Sequence, residues 1–223
     1  MNNLKRITIL CGHYGSGKTN VAVNMAYELK KLHSKTAIAD LDIVNPYFRS
    51  KDSIEEFEKR EIRLICSEYA GSNIDIPALP QEMYAITDDK ELYSVIDVGG
   101  DDRGALALGR LAPKIKNENN FEMLMVINCY RPLTLDAAST IEIMREIEIA
   151  AGIKFTGLIN NSNLGALTTA QTVLDSVDYA KETSRLSSLP IRYTTVKKGL
   201  EKELSGKIEN LFFMDLQKNI YID

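Results

Sequence analysis

Residues 12–19 read Gly-His-Tyr-Gly-Ser-Gly-Lys-Thr, a complete G-x-x-x-x-G-K-[ST] pattern set between the apolar run Ile7-Thr8-Ile9-Leu10-Cys11 and a helical pattern starting near Lys18. The pattern works only as a strand, an anion-wrapping loop and a helix in that order, so it constrains the fold as well as the chemistry. Its fixed positions coincide by chance in roughly one chain in a hundred. The competing reading, an ordinary Gly-rich turn, leaves the strand before and the helix after unexplained.

The spacing predicts a nucleoside-triphosphate site. Gly12, Gly15 and Gly17 leave room for the backbone N–H groups of His13, Tyr14, Ser16 and their neighbours to turn around phosphate oxygens, and the loop runs into a helix N-terminus through Asn20. Lys18 is expected to reach the β- and γ-phosphates and the Thr19 hydroxyl to coordinate Mg²⁺.

The chain has 223 residues, 44% hydrophobic and 26% charged, enough for a large core and the length of one α/β domain spanning 1–223. A net charge of −4 gives no basic footprint for nucleic acid. No apolar stretch reaches membrane-spanning length, and the N-terminus leads into the strand the loop needs rather than into a cleavable signal. The chain therefore reads as soluble and cytoplasmic. Cys11, Cys66 and Cys129 form no C-x-x-C pair and read as buried thiols, and His13 and His33 are too few for a zinc site, with a site shared symmetrically between two subunits left open.

Apolar, β-branched-rich runs recur at Arg6–Cys11, Thr36–Ala39, Ile62–Cys66, Tyr93–Val98, Met123–Asn128, Phe155–Asn160 and Ile191–Val196. Helical patterns alternate with them at Lys18–Leu32, Ser53–Arg60, Pro80–Thr87, Gly104–Lys116, Leu133–Ala151, Thr168–Leu186 and Lys197–Leu211. This alternation predicts a three-layer, doubly wound α/β fold with a mostly parallel sheet of about seven or eight strands. The tail from Leu200 to Phe213 has helical spacing with mixed charge, interrupted by Gly206, and reads as packing on the core rather than as a membrane-contacting helix.

In such a sheet the ligand sits beyond the carboxyl ends of the strands. Asp40-Leu-Asp42-Ile-Val-Asn45 follows the second run, and alternation puts Asp40 and Asp42 on one side. Two carboxylates beside a triphosphate imply Mg²⁺ or an attacking water between them; capping of a turn is the alternative. Ile96-Asp97-Val98-Gly99-Gly100 follows the fourth run. Asp97 reads as a metal-supporting carboxylate and Gly100 as a backbone donor to the γ-phosphate in a switch loop, with a plain Gly-Gly turn as the alternative. Arg103 reads as a surface residue at a helix start, with a charge-stabilising role as the second option. Asn160-Asn161-Ser162-Asn163 follows the sixth run. An Asn160 amide could read the edge of adenine, while Ser162 and Asn163 do not reproduce the Asn-Lys-x-Asp that accepts from guanine; the asparagines as turn formers are the other reading.

Taken together, the phosphate loop, Asp40-x-Asp42-x-x-Asn45, Ile96-Asp97-Val98-Gly99-Gly100 and Asn160 resemble the MinD/ParA group of P-loop ATPases, of the SIMIBI class, with their cobyrinic-acid-diamide-synthase (CobQ/CobB) and nickel-insertion branches. The resemblance runs from Lys5 to Val196, and Arg131-Pro-Leu-Thr134 looks like the group's Pro-x-x-Ser/Thr helix start. It implies ATP and Mg²⁺ as cofactors, Lys18 and Thr19 on phosphate and metal, Asp40 and Asp97 supporting the metal, Asp42 orienting the attacking water, and a homodimer. One position departs: where the group has a lysine that crosses the dimer interface, this chain has His13, followed by Tyr14. The loop also looks like that of nickel-delivery GTPases, whose Cys/His metal motifs are missing here.

The sequence thus points to a Mg²⁺-dependent ATPase whose nucleotide state controls dimerisation or engagement of an unknown partner protein, with metalloenzyme or cofactor maturation as a candidate setting. A small-molecule kinase or ATP-dependent ligase, a nickel-delivery-type GTPase and a non-hydrolysing regulator are the alternatives. Residues 45–90 carry the least motif information and are expected to hold specificity.

Overall fold

The computed structural model describes residues 4–42, 51–66, 81–100 and 102–217, with Lys51, Asp52 and Asp102 described by backbone alone. Asn45, Asp101 and the proline-containing stretch before residue 81 lie outside the described residues. Eight strands form one sheet: β1 (Ile7–Cys11), β2 (Thr36–Leu41), β3 (Arg63–Cys66), β4 (Tyr93–Val98), β5 (Phe121–Ile127), β6 (Gly157–Asn160), β7 (Ile191–Lys197) and β8 (Leu211–Met214). Their order is β3-β2-β4-β1-β5-β6-β7-β8. Every adjacent pair is parallel.

Strand alternation divides the core into two layers. Ile7, Ile9 and Cys11 of β1 join Ala37, Ala39, Ile96, Met123 and Met125 on one face, beneath α4 (Asp102–Gly109), α5 (Ala112–Glu118), α6 (Ala137–Ala151) and α8 (Val177–Ser187). Leu10, Ile38, Val95, Leu124 and Ile159 face the other way, against α1 (Lys18–Leu32) and Phe57 of α2 (Lys51–Lys59). All five β1 residues are buried, as expected of a parallel strand covered on both sides. Cys11 is among them, and burial pushes its thiol upward, so it is held neutral.

The remaining helices are short. They are α3 (Ala85–Asp88), α7 (Ala170–Asp175) and α9 (Glu201–Leu204). The expected helix over Gly104–Lys116 breaks into α4 and α5, with Pro113 in the first turn of the latter. The one over Thr168–Leu186 breaks into α7 and α8 around Ser176, and α7 opens with a capping box of Thr169 and Thr172. The helix expected from Leu133 starts at Ala137, where the Asp136 carboxylate accepts from Ser139 N at 2.9 Å.

The largest departure is at Lys197–Leu211, where helical spacing gives way to the single turn of α9 and then to β8. Gly199 (φ 101°), Gly206 (φ 77°) and Asn210 (φ 55°) are left-handed: Gly199 lies in the turn after β7, Gly206 follows α9, and Asn210 directly precedes β8. Beyond them strand alternation applies: Phe212 and Met214 pack on the α1 side, while Leu211 and Phe213 pack with Val173 and Leu204. The tail does pack on the core, as an eighth strand rather than a helix. No helix among the described residues is long and apolar enough to cross a membrane.

Candidate nucleotide-binding site

Because β1 lies between β4 and β5, its following loop emerges in the middle of the sheet's carboxyl edge. Gly17 caps α1 with φ 84°, and a Cβ there would sit 2.4 Å from Asn161 Nδ2. Only glycine meets both demands. The first turn of α1 carries no acidic residue and its last turn carries Lys30 and Lys31, so the helix N-terminus keeps its affinity for an anion.

The acidic side of the site follows from strand register. Asp40 of β2 pairs with Asp97 of β4. Ile38 and Val95, two residues earlier, face α1, so both carboxylates point towards its N-terminus. There Thr19 Oγ1 donates to Asp97 Oδ2 at 2.7 Å, and Asp42 N donates to Asp40 Oδ1 at 2.7 Å. Burial pushes the Asp97 carboxyl up to about 6, against the lowering effects of the Lys18 charge and the Thr19 bond, with Asp42 adding to the rise.

A cation fits this arrangement. Asp97 Oδ1 is buried with no hydrogen-bond partner among the described residues, which is costly unless a donor or a positive charge faces it. Thr19, donating to Asp97, still has lone pairs to offer a metal. No group of three or more His, Cys, Asp or Glu among the described residues could hold a metal alone. Mg²⁺ here would therefore need oxygens from a phosphate as well as Thr19, with Asp40 and Asp97 behind it.

The cleft above the loop is lined by Tyr14, Gly15, Gly17, Lys18, Thr19, Asn20 and Asp42 at one end, and by Asn163, Gly165, Thr168, Thr195, Val196, Lys197, Met214 and Leu216 at the other, with Arg131 and Asn161 also on its wall. Lys18 is buried and Nζ donates to His13 O at 3.3 Å, across the loop. Gly12 and Ser16 are buried within the loop, and Ser16 Oγ has no hydrogen-bond partner among the described residues. His13 lies outside the lining, its Nδ1 3.0 Å from Tyr14 O. Gly100 abuts the loop from β4, where a Cβ would lie 2.5 Å from Tyr14 N. Arg103 is exposed on α4 and does not line the cleft.

Asn160 requires a correction. Ile159 faces α1, so Asn160 faces the opposite layer, where Nδ2 donates to Ser176 Oγ at 2.9 Å and Oδ1 accepts from Ser162 N at 3.2 Å. Its amide is spent on a turn and does not line the cleft. Asn161 takes the wall position: Nδ2 donates to Ser16 O at 2.6 Å and Oδ1 accepts from Thr195 Oγ1 at 2.5 Å, which ties the phosphate loop to β6 and β7. Counting alternation one residue further along β6 would have found it. Met214 and Leu216 were hidden because β8 was read as helix. Arg131 carried no sequence signal beyond its neighbour Pro132.

No protein-family model matches the sequence, and no curated protein matches it. Solved structures do. FtsY from Thermotoga maritima superposes with a TM-score of 0.56 at 17% identity, over 90% of this chain and 65% of that one. FtsY from Mycoplasma mycoides gives 0.52 at 19% identity, over 86% and 59%. The signal recognition particle 54 kDa protein from Aeropyrum pernix K1, in complex with GDP, gives 0.52 at 14% identity, over 87% and 41%. The chain thus spans less than two thirds of each of these proteins. The likeness shows the fold alone, the P-loop NTPase fold, and does not extend to the MinD/ParA subtype.

Proposed function

We propose that this chain binds ATP with Mg²⁺ and hydrolyses it, and that its nucleotide state governs self-association or engagement of a partner protein. The observation that carries this reading is the Thr19–Asp97 bond, which sets an orphaned carboxylate oxygen at the N-terminus of α1 next to Lys18. Lys18 and the loop N–H groups hold the β- and γ-phosphates. Thr19, Asp40 and Asp97 hold Mg²⁺, which when bound neutralises charge on the phosphate oxygens. Asp42, on the cleft wall beside them, orients the attacking water.

Adenine is the base implied by the resemblance of the loop and strand-end motifs to ATPases; among the described residues that line the cleft, the one carboxylate is Asp42, at the phosphate end. A guanine nucleotide is the second reading, because a structural neighbour was solved with GDP. Turnover is slow until a partner completes the site, and maturation of a metal or cofactor enzyme is the setting in which such a switch would serve.

Titration calorimetry with ATP and GTP, each with Mg²⁺, decides the base; tighter binding of GTP overturns the adenine assignment. Size-exclusion with light scattering on Asp42→Asn, with and without ATP·Mg²⁺, tests the assembly role. An ATP-dependent mass increase is expected, and an unchanged monomer argues against self-association. Phosphate release that requires an added small-molecule acceptor would instead identify a kinase or ligase.

A further inference from the structure

We propose that Arg131 contacts the terminal phosphates of the nucleotide bound by its own chain and supplies the fixed cation that position 13 lacks; this rests on the triphosphate-binding reading above. Three carboxylates, Asp40, Asp42 and Asp97, stand at the phosphate end of the cleft, where a triphosphate brings further negative charge. Lys18 is the one cation in the loop itself. His13 lies outside the lining, Arg103 is exposed on α4, and Lys197 donates to Ala166 O at 2.9 Å beside the opposite end of the cleft. Among the described residues, Arg131 is the remaining cation on the wall.

Its placement is built. Arg131 Nε donates to Gly15 O at 2.8 Å, and its Nη1 is 3.3 Å from Tyr130 O. Nη2 has no hydrogen bond among the described residues, and the side chain forms no ion pair there. The backbone that carries it is pinned: Arg131 N donates to Asn128 O at 3.3 Å, Thr134 N to Arg131 O at 3.0 Å, and Thr134 Oγ1 to Asn128 O at 2.7 Å. Pro132 follows in the first position of a 3₁₀ turn. A guanidinium held at the rim by one edge, with another edge unspent, suits phosphate oxygens, because its planar fork makes paired charge-assisted bonds.

In hydrolysis the water oxygen bonds to the γ-phosphorus, and the bond from that phosphorus to the β–γ bridging oxygen breaks with its electron pair leaving on ADP. The water proton passes by way of Asp42 to the released phosphate. Arg131 stays protonated throughout and stabilises the charge spread over the γ-phosphate oxygens.

The test compares wild type with Arg131→Gln and Arg131→Lys for ATP binding, ADP binding and turnover in the presence of Mg²⁺. For Arg131→Gln we expect ADP affinity close to wild type, ATP affinity lowered by about tenfold, and turnover lowered by about 10²- to 10³-fold. Guanidinium ion, added well below denaturing concentrations, should restore part of that turnover without accelerating wild type. Arg131→Lys should fall between the two. An unchanged ATP-to-ADP affinity ratio with unchanged turnover overturns the proposal. So does an equal loss for both nucleotides without guanidinium rescue, which would make Arg131 a clamp on Gly15 only. Wild type that binds no nucleoside triphosphate overturns both this assignment and the function it rests on, whereas wild type that binds ATP with Arg131→Gln behaving identically overturns this one alone.

Discussion

Thr19 Oγ1 donates to Asp97 Oδ2 at 2.7 Å, joining the first turn of α1 to the end of β4. The bond crosses from the helix that follows the phosphate loop to a strand 78 residues further along the chain. It holds a carboxylate whose burial penalises its charged form, and such perturbed buried groups cluster at functional sites.

The cost of that carboxylate is measurable. Asp97 titrates at about 6 in the folded chain against an ordinary 3.8, so the native state holds the proton more tightly than the unfolded one. Stability from this group is fully present below about pH 4 and is lost as pH rises through about 6, by on the order of 3 kcal/mol. In urea unfolding without nucleotide, Asp97→Asn should be the more stable protein at pH 7.5 by about 2 kcal/mol, with the difference closing towards pH 4. A difference that stays constant with pH would contradict the buried-charge account. The same variant should lose most of its Mg²⁺-dependent nucleotide affinity.

Lys18→Ala removes the charge that holds phosphate and that also lowers the Asp97 pKa. Calorimetry should show nucleotide affinity reduced by about 100-fold or more, equivalent to a lost charge-assisted bond of about 3 kcal/mol. The pH midpoint of Asp97, followed by NMR of the carboxyl carbon, should move upward in the same variant.

Asn161 and Asn160 should separate cleanly. Asn161→Ala cuts the ties to Ser16 O and Thr195 Oγ1, so it should cost about 2 kcal/mol of stability and weaken nucleotide binding through the loosened loop. Asn160→Ala breaks the bond to Ser176 Oγ at similar cost in stability, yet should leave nucleotide affinity and base preference as they were. A change in ATP-to-GTP preference in Asn160→Ala would restore the role its position first suggested.

Phe212 tests the eighth strand. It is 6% exposed and packs with Leu10, Val95 and the apolar face of α1. Phe212→Ala should destabilise by about 3–4 kcal/mol in urea unfolding, the scale of a core aromatic lost from a packed layer. A loss below about 1 kcal/mol would contradict the packing of β8 on the α1 layer.

The legible parts of the chain were those whose signal is local. β4 and α1 lie at the expected Tyr93–Val98 and Lys18–Leu32 because a buried parallel strand and an amphipathic helix each write their period into consecutive residues. The shared side of Asp40 and Asp42 was likewise readable from alternation, whereas the pairing of Asp40 with Asp97 depends on β2 and β4 being neighbours in the sheet. The tail was misread for the same reason: Leu200, Leu204, Ile208 and Leu211 satisfy a helical period, but Gly206 and Asn210 break the helix and the open edge of β7 recruits the next four residues as a strand.

By itself the sequence determined the phosphate loop, the parallel α/β alternation and the carboxylates at strand ends, since each depends on residue type and short spacing. Only the tertiary structure decided which groups meet. Strand order β4-β1-β5 brings Asp97 to one side of the loop and Arg131 to the other, and the pleat sends Asn160 away from the cleft and Asn161 into it. Those pairings cross 78, 116 and 145 residues of chain, and they are set by packing of whole layers, which no local pattern encodes.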